Sequence, residues 1–164
     1  MFHWKLLRGL TKVVIRVSLF IPLWIHAGPL SKAEALTPAE SRGKIIYTAG
    51  QSPSGGLLFY RLLSAGEGFL PAKGIDCASC HGIDGKGGRE GGVVIPDITY
   101  AALTKPSTAP LFLGRQRAAY TDALLSRAIT QGLDSSGQQL GSLMPRWALS
   151  ESELQDLLQY LKRL

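Results

Sequence analysis

The sequence predicts an all-α domain with a single hydrophobic core, and three observations carry this prediction. Residues 37–40 and 150–153 each have the Ser/Thr-x-x-Glu spacing of a capping box, which marks the start of a helix. After the second box, apolar residues recur on one helical face, at Leu154, Leu157, Leu158 and Leu161. The chain of 164 residues is long enough for one core and too short for two. We therefore expect one helical domain with a helix near each end.

Residues 1–27 have the features of an export signal. An apolar stretch at residues 17–25 is shorter than the about 20 residues that cross a bilayer, and Pro22 interrupts it. Cleavage is expected after Ala27 or Ala35, where small residues have the required spacing. Residues 28–36 would then form a linker to a single domain at 37–164. The alternative is that the segment stays as an N-terminal anchor, which would be the only contact with a membrane.

Most of the net positive charge of the chain lies in this N-terminal leader. The formal net charge is +6, but four of the basic residues lie in the first 27 residues, which contain no acidic residue: Lys5, Arg8, Lys12 and Arg16. The remaining part has 14 basic and 12 acidic side chains, a net charge of +2, without a basic cluster. This pattern argues against nucleic acid as a partner.

The helices of the domain are indicated by their caps. The first should begin with Pro38 in its first turn and end near Gly50. A helix is predicted over residues 121–131, with its inner face formed by Leu124, Leu125, Ala128 and Ile129. Asp97 can cap a short helical turn that runs through Leu103.

The most informative motif is Cys77-Ala78-Ser79-Cys80-His81, which is typical of covalent haem attachment. Two thiols separated by two residues can add to the two vinyl groups of one haem, and the following imidazole then binds the iron. A zinc half-site, a thioredoxin-like redox pair and a disulfide are the alternatives. A zinc site would need further Cys or His ligands, and the chain past the leader has no others. A thioredoxin-like pair would need a βαβ unit, and none appears. A disulfide across two intervening residues would be strained.

The scarcity of histidine and methionine limits the second axial ligand. His3 and His26 lie in the leader, so a processed chain keeps only His81. Apart from Met1, the only methionine is Met144. The sixth ligand is then Met144, a less usual group such as a Lys amine, a water, or nothing. Pro145 keeps Met144 extended, which suits a ligand presented from a loop, although a lone methionine also fills gaps in cores.

The segments CASCHGIDGKG at 77–87 and Met144-Pro145, followed by a terminal amphipathic helix, resemble class I c-type cytochromes. The resemblance covers about residues 37–164 and implies the cytochrome c fold around one covalent haem c. It implies that Cys77 and Cys80 form the thioethers and that His81 and Met144 are the axial ligands of the iron. It also implies that the first and last helices cross, with Gly43 at the contact beside Tyr47 and Tyr160.

Residues 50–74 depart from the compact family pattern, in which the first helix leads quickly to the cysteines. Two short apolar runs, at 57–63 and 68–70, predict a small β-hairpin inserted before the haem motif. The hairpin would shield a haem edge or dock a partner; a tolerated surface insertion is an equal alternative.

One supporting role is implied by the resemblance, and a second follows from the chemistry of buried carboxylates. The carbonyl of Pro96 is the expected acceptor for the second ring nitrogen of His81, which would fix the ring. Four residues are candidates to bind the haem propionates because buried carboxylates need donors: Arg115, Arg117, Tyr120 and Trp147.

The resemblance implies a protein that carries single electrons between redox partner proteins in the periplasm, after attachment of haem by the maturation machinery. This protein would not be an enzyme. The alternatives are a haem subunit of a larger oxidoreductase complex, or a haem sensor or enzyme in which Met144 is a labile ligand. The donor, the acceptor and the reduction potential are not encoded in any motif.

Overall fold

The computed structural model describes residues 35–66, 68–108 and 116–164. The export segment 1–27, residues 28–34 of the linker, and Arg115 lie outside the described residues. Among the described helices, none has the length and hydrophobicity of a membrane span.

Five α-helices and a 3-10 turn form the helical part of the described chain. The α-helices are α1 (Pro38–Ala49), α2 (Ala78–His81), α3 (Tyr100–Leu103), α4 (Asp122–Gln131) and α5 (Glu151–Leu161), and the 3-10 turn is Leu63–Ala65. Both predicted capping boxes form, at the start of α1 and of α5. Gly50 ends α1 in a left-handed conformation with φ 60°, as expected from the sequence.

The leucine face of α5 is buried in the core, and α1 packs against this helix. Gly43 lies at the contact, where a Cβ atom would overlap the backbone carbonyl of Asp156. Next to it, the rings of Tyr47 and Tyr160 pack with centroids 5.4 Å apart. Arg42 adds two hydrogen bonds to the Asp156 carboxylate, of 2.6 and 2.7 Å. The expected close helix contact at Gly43 is therefore confirmed.

Adding one methyl group at this contact should loosen the helix pair. We expect Gly43→Ala to lower the free energy of unfolding by about 2 kcal/mol, since overlap with a backbone carbonyl outweighs the gain in helix propensity. Ser41→Thr, which adds one methyl on the exposed side of α1, should change it by less than about 0.5 kcal/mol. Denaturant unfolding of both variants measures the difference, and equal values would contradict the close contact.

Five short strands in two small sheets accompany the helices, so the described chain is not all-α as predicted. One sheet has the order β2-β1-β5, with β1 (Phe59–Arg61) antiparallel to both β2 (Leu70–Pro71) and β5 (Arg146–Ala148). The other is a hairpin of β3 (Gly88–Glu90) and β4 (Val93–Ile95). The β-hairpin expected between residues 50 and 74 is present as β1 and β2. The sequence prediction lacked its third strand, β5.

The cap of α3 differs from the prediction. The Thr99 side chain accepts a hydrogen bond from the backbone N–H of Ala102 and is the N-cap. The Asp97 carboxylate instead accepts from the N–H of Thr99 at 2.8 Å. Asp97 thus closes the turn that leads into the helix, because an Asp side chain reaches the N–H two residues on as readily as a helix N–H three residues on.

Candidate functional site

The cysteine motif lies on the single-turn helix α2, and Asp76 stabilises that turn. Its carboxylate accepts from the backbone N–H of Ser79 at 2.7 Å, and its carbonyl accepts from the Ser79 hydroxyl at 2.8 Å. The N–H of His81 donates to the carbonyl of Cys77 at 2.9 Å. The chain between the first cysteine and the histidine is therefore one helical turn, with its side chains in fixed relative positions.

The end of α1 anchors this turn to the core. The carbonyl of Tyr47 accepts from the backbone N–H of Cys77 at 3.0 Å. The Tyr47 hydroxyl donates to the carbonyl of Gly82, directly after the motif, at 2.7 Å. One fully buried tyrosine thus bonds both ends of the motif, and burial raises the pKa of its phenol well above the usual range, so that it remains a donor.

His81 is buried, and its ring is held by one hydrogen bond. Nδ1 lies 3.0 Å from the carbonyl oxygen of Pro96, the acceptor expected from the sequence. Because a carbonyl can only accept, Nδ1 carries the proton, and in the neutral ring Nε2 then keeps a free electron pair. Burial lowers the pKa of His81, opposed by the bond to Pro96. The lowered pKa favours the neutral ring, which is the form that binds metals.

A tight chain reversal brings Pro96 to this ring. Gly91 and Gly92, both with positive φ, connect β3 to β4, and Pro96 follows β4 directly. Gly87, with φ 65°, lies against the end of β4, where a Cβ atom would overlap the carbonyl oxygens of Ile95 and Pro96. The N–H of Gly87 also donates to the carbonyl of His81 at 2.8 Å. A glycine at 87 therefore lets the acceptor approach the histidine.

Substitution at this position should disturb the bond to His81. We expect Gly87→Ala to lower the free energy of unfolding by about 3 kcal/mol, the sum of left-handed strain and backbone overlap. Gly137→Ala is the control, because Gly137 has φ 81° and open space around it. This variant should lower the free energy of unfolding by about 1 kcal/mol. The His81 Nδ1–H proton should exchange faster with solvent in the first variant alone, as measured by NMR. Equal losses of unfolding free energy and equal exchange rates of the His81 Nδ1–H proton in the two variants would contradict the role of Gly87.

A largely apolar cavity opens next to α2. Cys77, His81 and Met144, which the sequence predicts as site residues, all line it. Apolar side chains from α3, α4, α5 and the loops form most of the remaining wall: Ile98, Leu103, Leu125, Ala128, Ile129, Leu140, Leu157 and Leu161. The structure therefore brings Cys77 and Met144 to one cavity, although they are 67 positions apart in the sequence.

The two cysteines differ in their surroundings. Both thiols are free, so the disulfide alternative is not present. Cys77 lines the cavity, and burial raises the pKa of its thiol to about 12. Cys80 is exposed, one helical turn along at the surface. The described ranges contain no group of three His, Cys, Asp or Glu side chains that could hold a metal ion, so no described cluster supports the zinc alternative.

Of the residues predicted to bind propionates, Arg117, Tyr120 and Trp147 line the cavity. The Arg117 guanidinium is already used, because it donates to four backbone carbonyls, those of Ala102, Leu103, Lys105 and Ala118. It also lies over the ring of Tyr120, 4.8 Å from the centroid. Arg117 therefore serves to hold the cavity wall together.

The sequence analysis missed two contributors to the site. Tyr47 was expected only to pack against α5, yet it also lines the cavity and bonds the cysteine motif. Arg146, next to the cavity residue Trp147, is 1% exposed and donates to the carbonyl of Met144. Nothing in the sequence around Arg146 marks it as buried, since charged residues are almost always exposed.

The insertion packs behind the wall of the site, against the cavity residue Trp147. Tyr60 of β1 is buried, and its ring packs on Trp147 of β5 with centroids 5.7 Å apart. Leu58 and Ala72 are also part of the core. The inner side of the insertion is thus packed against the strand that follows Met144, which excludes a simple surface loop.

Comparison with known proteins agrees with this geometry. The family model described as Cytochrome c matches residues 64–164, from the middle of the insertion to the last residue. Searches of curated proteins and of solved structures found no match to the chain. The family match spans well over half of the chain and contains the cysteine motif, His81 and Met144. The chain belongs to the cytochrome c family and is a haem-binding electron-transfer protein.

Proposed function

We propose that this chain is an exported cytochrome with one haem c, which carries single electrons between redox partner proteins. In this proposal Cys77 and Cys80 form thioethers with the haem, and His81 and Met144 bind its iron. The observation that carries the proposal is that Cys77, His81 and Met144 line one apolar cavity. When bound, the haem supplies a one-electron couple between ferric and ferrous iron.

The residues of the cavity fit a haem by their donor chemistry. His81 offers a neutral ring whose Nδ1–H is already used by Pro96, so Nε2 remains as the ligand atom. Met144 offers a thioether, a soft ligand that raises the reduction potential of a haem opposite histidine. With both residues as ligands, the iron has no position for a substrate or a gas, which suits a carrier.

The cysteines fit covalent attachment by their positions on one helical turn. Cys77 lies inside the cavity, and Cys80 lies at the surface beside it. Both are free thiols, as addition to vinyl groups requires. The backbone N–H groups of Cys77 and Ser79 donate to the Tyr47 carbonyl and the Asp76 carboxylate, and these bonds hold the turn in this conformation.

The apolar wall serves electron transfer by excluding water from the cavity. Buried side chains from α4 and α5, among them Leu125, Ile129 and Leu157, remove the solvent that would otherwise reorganise when the charge of the site changes. A rigid, dry wall also keeps the ligand positions the same in both oxidation states. These properties favour fast transfer of an electron without chemistry on a substrate.

Export and the partners are part of the proposal. The basic and apolar pattern of residues 1–27 supports export to the periplasm, where the maturation machinery attaches haem. If the segment is retained, the domain is tethered to the periplasmic face of the inner membrane. Determining the N-terminal residue of the mature protein distinguishes cleavage after Ala27 or Ala35 from a retained anchor.

A second candidate function, a haem subunit of a larger oxidoreductase complex, is favoured by the outer side of the insertion. Five large apolar side chains are exposed there: Leu57, Phe59, Leu63, Phe69 and Leu70. A cluster of exposed apolar side chains is typical of a surface that associates with another protein. Co-purification of a tightly bound partner from the native host would favour the subunit, whereas isolation as a monomer would favour the free carrier.

The proposed function is tested by a spectroelectrochemical titration of the mature protein. We expect one haem per chain and a single reversible one-electron transition. A protein that contains no haem after expression with the maturation machinery, or one that consumes peroxide or oxygen catalytically, would contradict a carrier.

A further inference from the structure

Arg146 is a fully buried arginine without a negative partner among the described residues. Its exposed fraction is 1%, and its hydrogen bonds go only to uncharged oxygen atoms. Arg61 of β1 is its cross-strand neighbour, which adds a like charge. Because burial of an unpaired charge is costly, the hydrogen bonds of the guanidinium must offset that cost.

These hydrogen bonds all reach the loop that carries Met144. Nη1 donates to the carbonyls of Gly141, at 2.9 Å, and of Met144 itself. Nη2 donates to the carbonyl of Leu140 at 3.0 Å and to the side-chain oxygen of Gln139 at 3.5 Å. The planar guanidinium therefore binds three backbone carbonyls between residues 140 and 144, and these contacts fix this part of the loop in one conformation.

The other end of Arg146 is fixed by the insertion. Its backbone belongs to β5, which pairs with β1 in the register Tyr60 opposite Trp147 and Arg61 opposite Arg146. The packed rings of Tyr60 and Trp147 hold the same strand pair from the inner side. The Arg146 side chain thus extends from a strand that is held by these contacts to a loop without helix or strand.

We propose that Arg146 is a positioning residue, which holds the Met144 loop so that the thioether remains directed to the haem iron. The inference rests on the proposed function, in which Met144 is an axial ligand. It also gives the insertion at residues 50–74 a role, since β1 fixes the strand from which Arg146 extends. Without the guanidinium, the loop loses four hydrogen bonds and the ligand leaves the iron more often.

Imidazole, added to the ferric protein, measures how often the iron is open. Its apparent affinity rises in proportion to the fraction of molecules whose methionine is off the iron. We expect Arg146→Gln to bind imidazole about tenfold more tightly than the wild type. Arg42→Gln is the matched control, because it removes two hydrogen bonds from an arginine on α1 to Asp156; it should stay within about twofold of the wild type. Met144→Ala gives the affinity of the fully open site.

The outcomes separate this inference from the proposed function. If the wild type resists imidazole and Arg146→Gln resists it equally, the role of Arg146 is overturned while ligation by Met144 stands. If the wild type already binds as tightly as Met144→Ala, ligation by Met144 fails, and the inference with it. Should Arg146→Gln not fold, Arg146→Leu takes its place, since it fills the space without a polar group. Failure of both to fold would assign Arg146 to folding alone and overturn the proposal.

Discussion

Met144→Ala is expected to leave the haem covalently attached but to open the iron on one side. Alanine provides no ligand atom, and no other methionine lies in the described part of the chain. Water or an added ligand then takes the sixth position, so the ferric spectrum changes and carbon monoxide binds to the ferrous form. The midpoint potential should fall by roughly 0.1–0.3 V, a fraction of the about 0.8 V over which axial ligands tune haem.

Leu143→Ala is the control for this prediction, because Leu143 adjoins Met144 and is 64% exposed. It shortens an apolar side chain of the same loop without removing a sulfur. Its spectrum and potential should equal those of the wild type. An unchanged low-spin ferric spectrum in Met144→Ala would show that another group is the sixth ligand.

The second large effect is expected at the cysteines. Changing Cys77 and Cys80 together to alanine should abolish covalent attachment, because no other cysteine is present in the sequence. Any haem that still binds is held only by axial ligands and the apolar wall. Acid–acetone extraction should then remove it completely, and the mass of the chain should show no haem adduct. Each single change leaves one thiol and should leave one thioether.

Ser79→Ala is the matched control, since Ser79 lies between the two cysteines on the same helical turn. It removes the hydrogen bond from the Ser79 hydroxyl to the carbonyl of Asp76 and leaves both thiols in place. Its haem should resist extraction as in the wild type. Haem that survives extraction in the double variant would mean that attachment uses another group.

The parts of the fold that depend on local chemistry were predictable from the sequence. A capping box is recognised from two residues three positions apart, and the starts of α1 and α5 were therefore predicted correctly. The contact at Gly43 and the bond from His81 to Pro96 followed from the family resemblance and are also confirmed. Each capping box lies within one short segment, whereas these two contacts join separate segments and needed the resemblance.

The β3–β4 hairpin has a signal in the sequence, which the prediction of an all-α fold does not include. Gly91 and Gly92 stand between two short extended segments, and a Gly-Gly pair with positive φ is a standard two-residue hairpin connection. The prediction of an all-α fold passed over it because the flanking strands have only three residues each.

The pairing of β1 with β5 could not be predicted in this way. The two strands are more than 80 residues apart, and three residues are too few for a period-two pattern. In β5 both Arg146 and Trp147 are buried, so the burial does not alternate. The buried guanidinium depends on carbonyl groups of the folded loop, and no sequence pattern encodes those contacts.

Ligation of the iron by His81 and Met144 is tested most directly by the visible spectrum of the purified mature protein, recorded oxidised and reduced, before and after carbon monoxide. Ligation by both His81 and Met144 predicts a low-spin c-type spectrum that carbon monoxide leaves unchanged. A shift on addition of the gas would contradict closed ligation and favour a sensor or enzyme with a labile sixth ligand. The absence of haem bands, from a host with the maturation machinery, would contradict covalent haem at Cys77 and Cys80.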